Sequence, residues 1–75
     1  MEKIEILKTT LIAREEEVLM YQINIDNYEL AIGKAKDDEE LSEFVSHLRE
    51  LLRTSRLEQK KAIIMRDVIR EQLEG

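Results

Sequence analysis

From Ile4 to Ile32 an apolar residue recurs at every seventh position, and then the repeat stops. Ile4, Leu11, Val18, Ile25 and Ile32 form one series; Leu7, Arg14, Tyr21, Tyr28 and Ala35 form a second, interrupted only by Arg14. Two such series, three residues out of phase, line one side of an α-helix and give it the seam of a coiled coil. A seam this long commits the segment to one continuous helix that must cover its stripe against another.

The next strong apolar residue is Leu41, nine positions beyond Ile32. At about 100° per residue, nine positions carry it to the opposite face of a continuous helix. Keeping the old register would bring Glu39 and Ser42 into the seam. The intervening residues read as a boundary. Gly33 weakens a helix, Lys34 and Lys36 suit a helix C-terminus, and Asp37 can cap a new N-terminus with Glu40 three residues later. The spacing predicts helix 1 over about 2–35, a turn at 36–37 and helix 2 over about 38–73, in one helical-hairpin domain spanning 1–75. Helix 2 is expected to bury Leu41, Phe44, Val45, Leu48, Leu51, Leu52, Ser55, Ala62, Met65 and Ile69.

A fold-back at 36–37 pairs residues whose numbers sum to about 73, among them Ile32 with Leu41, Ile25 with Leu48 and Leu11 with Ala62. It also sets Arg14, the polar gap of helix 1, beside Glu58 and Gln59, the polar gap of helix 2. Arg14, Glu58 and Gln59 are therefore expected to form a polar layer that fixes register. The alternative is that Arg14 snorkels to water.

Composition agrees with helices and excludes other classes. The 75 residues contain no Pro, no Cys and two Gly. A disulfide framework, a cysteine zinc site and a turn-rich β fold are excluded. The apolar runs are far shorter than the roughly 20 residues of a membrane span, and the acidic start lacks the pattern of a signal peptide. A soluble, cytoplasmic protein is expected.

Helix 1 carries a further apolar seam, Ile12, Leu19, Ile23 and Leu30, placed roughly 120–150° around the helix from the first. Helix 2 adds Leu57, Ile63, Ile64 and Val68 outside its main face. Helices apolar on two sides are buried on two sides. The expected fold is therefore all-α: an antiparallel two-helix, coiled-coil-like hairpin that assembles into a four-helix bundle or a larger helical oligomer. Ile12, Leu19, Ile23, Leu30, Leu57, Ile64 and Val68 are the expected interface, with a second copy or with another protein. The architecture is similar to that of small plasmid-encoded RNA-binding hairpins that dimerise into four-helix bundles. The likeness rests on no shared motif, and architecture alone implies no function.

Arg49, Arg53, Arg56 and Lys60 share one face of helix 2, and only Arg53 has an acid three or four positions away, at Glu50. Like charges at this spacing oppose the helix unless something external answers them. Phosphate of RNA, DNA or a nucleotide would do so, as would an acidic protein surface such as Glu15-Glu16-Glu17 of a neighbouring subunit. The net charge of -5 opposes general nucleic-acid binding. The same acidity permits a third reading, in which Glu15-Glu16-Glu17 and Asp37-Asp38-Glu39-Glu40 mimic nucleic acid to inhibit another protein. His47, the only histidine, has Glu43 at i-4 where a carboxylate-bridged metal site would use i-3. No metal or cofactor is expected. Neither a nucleophilic triad nor a Gly-rich phosphate loop is present. The expected function is that of a non-enzymatic adaptor, regulator or assembly factor acting through helical surfaces.

Overall fold

A computed structural model of the chain describes residues 2–75. Two helices account for most of them: α1, Glu2–Ala35, and α2, Ser42–Glu74. A short 3-10 turn, Glu39–Leu41, joins them. The helices run antiparallel along a rod of 58 × 14 × 13 Å. Contacts between them show the direction: Arg56 reaches Glu29, Gln59 reaches Val18, and Arg70 reaches Glu15.

Each helix is committed by its own residues. Glu2 and Glu5 oppose the positive end of α1, and Lys34 lies at its negative end. Lys36 donates its N–H to the Ile32 carbonyl at 2.9 Å, and Asp38 donates to Ala35 at 3.1 Å, closing the last turn. The expected cap, Asp37, does not perform that role. Asp38 does: its backbone is extended, with φ -97° and ψ 109°, and its Oδ1 accepts from the Glu40 N–H at 3.0 Å. Gly33 is not part of the break either. It lies inside α1, and its backbone takes no positive φ.

The connection therefore occupies 36–41 and α2 begins at Ser42, not at 38. This moves the pairing. Gln59 was expected beside Arg14; it instead donates to the Val18 carbonyl at 3.1 Å and to Gln22 Oε1 at 2.9 Å. Val18 lies four positions beyond Arg14, about one helical turn. The longer connection accounts for the shift, because each residue added at the bend slides α2 along α1.

The buried side chains obey a strict seven-residue rule on α2. Leu48, Ser55, Ala62 and Ile69 are all buried, with Val45 three positions before Leu48. On α1 the buried residues are Ile25, Ile32 and Ala35. Ile32, Ala35, Val45 and Leu48 pack together at the turn end, flanked by Tyr28, Ala31 and Leu52. The core face of α2 is narrower than expected. Phe44, Leu41 and Met65 are exposed, as is Ile4 on α1, because two cylinders in contact cover only one stripe of each.

Gly33→Ala tests the helical assignment at that position. A Cβ there would meet nothing within 4 Å. The substitution is expected to raise stability by about 0.5–1 kcal/mol, since alanine removes the glycine penalty of a helix interior. Urea denaturation at fixed protein concentration would show a higher midpoint with an unchanged slope. A lower midpoint would mean that residue 33 is needed as a breaker.

Candidate functional site

Ile12, Leu19, Ile23 and Leu30 are between 51% and 66% exposed. Helical rotation explains why. Ile23 and Leu30 each stand two positions before a buried residue, Ile25 and Ile32, and two positions are about 200° of rotation. They therefore face away from α2. Hydrophobicity is spread almost evenly around α1, whereas α2 is clearly one-sided.

The apolar row on α2 obeys the same geometry. Leu57 and Ile64 stand two positions after buried Ser55 and Ala62, and both are exposed, as is Val68. Sequence reasoning grouped these residues with the α1 seam as one interface. The fold does not bring them together. Each helix turns its core face toward the other, so the two outer rows lie on opposite long edges of the hairpin.

Arg49, Arg53, Arg56 and Lys60 border one shallow depression together with Leu52 and Leu57. Arg56 is answered from within the chain, by Glu29 of α1 at 3.3 Å. Among the described residues, Arg49, Arg53 and Lys60 make no ion pair. The acidic runs are partly engaged. Glu17 pairs with Arg14 and Glu15 with Arg70 at 3.7 Å, whereas Glu16 has no ion-pair partner among the described residues. Asp38 is taken up by the cap.

The polar layer differs from the expected one. Arg14 turns to Glu17 of its own helix, and Glu58 turns to Lys61 at 3.0 Å. Of these three residues only Gln59 crosses the seam, to Val18 and Gln22. Neither Gln22 nor Glu29 could be identified as a cross-helix partner from the sequence, because both assignments depend on the length of the bend. Arg14 Nε is buried without a hydrogen-bond partner. His47 is exposed on α2. Among the described residues no group of three His, Cys, Asp or Glu side chains converges, and no helix is long and apolar enough to cross a membrane.

No known protein family, no characterised protein and no solved structure matches this chain.

Arg14→Leu should stabilise the hairpin by about 1 kcal/mol. It restores the apolar seam and removes a buried N–H whose lack of a partner costs about 1–3 kcal/mol, while forfeiting an ion pair of about 0–1 kcal/mol. The urea midpoint reports the change. A fall in the midpoint would show that the guanidinium has a partner outside this single chain.

Proposed function

We propose that this chain is a non-enzymatic, homo-oligomeric helical interaction protein, a small adaptor, regulator or assembly factor that acts through its outer helical faces. The observation that carries this reading is the row of Ile12, Leu19, Ile23 and Leu30, four large apolar residues at helical spacing, more than half exposed and turned away from α2. Isolated exposed leucines are ordinary, whereas an aligned row marks a contact surface. Burying each such side chain is worth about 1.5–3 kcal/mol. The hairpin alone has a thin core, in which no large side chain among the described residues is fully buried. Small domains of this kind commonly gain stability by association. Two hairpins meeting along an edge bring four helices together.

A second reading draws on Arg49, Arg53 and Lys60, which make no ion pair among the described residues and border one depression. There the chain would bind a phosphate group of RNA, DNA or a nucleotide. Arg56 contributes less to such a site than the sequence suggested, because Glu29 already faces it.

Two measurements separate these readings. Sedimentation of the native chain over a hundredfold concentration range should show species heavier than the 8.9 kDa monomer. A lone monomer throughout would overturn the first reading. In a double variant, Arg53→Glu with Lys60→Glu, a phosphate binder would lose affinity for a fluorescent oligonucleotide or nucleotide while keeping its mass. An association surface would instead show a shift toward smaller species.

A further inference from the structure

Ion pairs between the helices recur along one flank of the hairpin, and the ladder changes sign at the turn end. Arg70 meets Glu15 and Arg56 meets Glu29, fourteen positions apart on each helix. Ile63 and Gln22 occupy the rung between them. The next step of seven sets Arg49 opposite Lys36, which prolongs α1 by donating its N–H to Ile32. Cation there faces cation. Arg53 and Lys60 stand on the same flank, one step farther from the seam. All five cations are exposed, and of the five only Arg56 makes an ion pair among the described residues. Along α2, each neighbouring pair from Arg49 to Lys60 is a like-charge pair at helical spacing, which opposes the helix. The acids of this stretch are fewer. Glu29 answers Arg56, Asp26 accepts from Gln22 at 2.9 Å, and Glu50 makes no ion pair among the described residues. A positive flank thus stands on a chain whose net charge is -5.

Acid bounds this flank at both ends. The run Asp37-Asp38-Glu39-Glu40 follows Lys36 at the turn, and Asp67 stands seven positions after Lys60 in the same helical phase. Between these limits the four cations of α2 extend over about 16 Å of helix axis. With Leu52 and Leu57 they border an open depression of about 470 Å³, within the size range of small-ligand sites. None of Tyr21, Tyr28 and Phe44 lines it, so it offers no ring on which a base could stack. Three of the four cations are guanidinium groups, which bind phosphate through paired N–H donors. A long anionic strand laid along the flank would run onto Asp67 or onto the acidic run at the turn, and like charges there disfavour the contact. A short anion meets neither.

We infer that this flank binds a short run of linked phosphate groups, held by Arg49, Arg53 and Lys60, with Lys36 adding charge at the turn end. Arg56 contributes least, because Glu29 already faces it. The ligand is a linear polyphosphate, recognised by its charge and length and not by a base. Inorganic polyphosphate and the triphosphate of a nucleotide share that chemistry. This inference rests on the phosphate reading given above and narrows it to a bounded site without base recognition. Because every cation is exposed, affinity falls as salt rises.

Titration of the native chain with tripolyphosphate at low salt tests the site, with orthophosphate, ATP and a long single-stranded oligonucleotide as comparison ligands. Tripolyphosphate should bind about tenfold or more tightly than orthophosphate, since each further charge-assisted contact adds affinity. ATP should bind no more tightly than tripolyphosphate; clear preference for ATP would show that a base is read and overturn the inference. Arg49→Gln with Lys60→Gln should weaken tripolyphosphate about tenfold or more. Lys3→Gln with Lys8→Gln removes the same charge at the open end and should change the affinity less than about twofold, because distant exposed charges are screened. Circular dichroism would verify that both variants keep their helices. Equal losses in the two variants would mean attraction to charge in general and overturn the site. An oligonucleotide that needs Arg49 and Lys60, with no binding of tripolyphosphate, would leave the phosphate reading standing and overturn the bounded site. Binding of none of the ligands would remove both. A lighter sedimenting species for Arg49→Gln with Lys60→Gln, with tripolyphosphate affinity unchanged, would assign the flank to a neighbouring copy instead.

Discussion

A helix in a two-membered hairpin can cover only one stripe. Everything distinctive about this molecule follows from that limit acting on α1, which is apolar on two opposite sides. One side, ending in Ile25, Ile32 and Ala35, is satisfied by α2. The other, from Ile12 to Leu30, is left in water, because the described residues form no third long helix to cover it. The stripe on α2 is equally constrained: the seven-residue row through Leu48, Ser55, Ala62 and Ile69 faces inward, and the row two positions later faces outward. The edges of the hairpin are therefore where its large apolar residues meet water.

The core that holds the helices together is uneven. At the turn end, branched and aromatic side chains meet in a continuous cluster. Toward the open end the buried row of α2 passes through Ser55 and Ala62, which are small, and the opposing row of α1 passes through Arg14. Gln59 bridges the helices in this thinner region by donating to Val18 and Gln22. A side-chain amide that satisfies a backbone carbonyl across the seam holds the axial position of one helix on the other, which apolar contacts alone do less well.

Much of this was legible in the residues. The two heptad series on α1, the break after Ile32, the antiparallel return and the outer apolar rows all follow from spacing, because helical periodicity is a local property. The placement of the bend by a few residues was not legible. Asp37 and Asp38 are chemically equivalent as caps, and the choice of Asp38 followed by a 3-10 turn moved the partner of Gln59 from Arg14 to Val18. That the outer rows occupy separate edges was also missed, since rotation about each helix axis becomes meaningful only once the direction of the other helix is known.

The sequence by itself determined that the chain forms two long helices, where the first one ends, and which residues each helix must hide or display. Those outcomes depend on propensity, capping and period, which act over a turn or two of backbone. The tertiary structure decided which residues meet. It set Arg56 against Glu29 and Arg70 against Glu15, and among the described residues it left Arg53 and Lys60 without ion pairs beside an apolar row. The reason is geometric: contacts between helices depend on a sum over the whole bend, so a shift of one turn there exchanges every partner along the rod while leaving each helix unchanged.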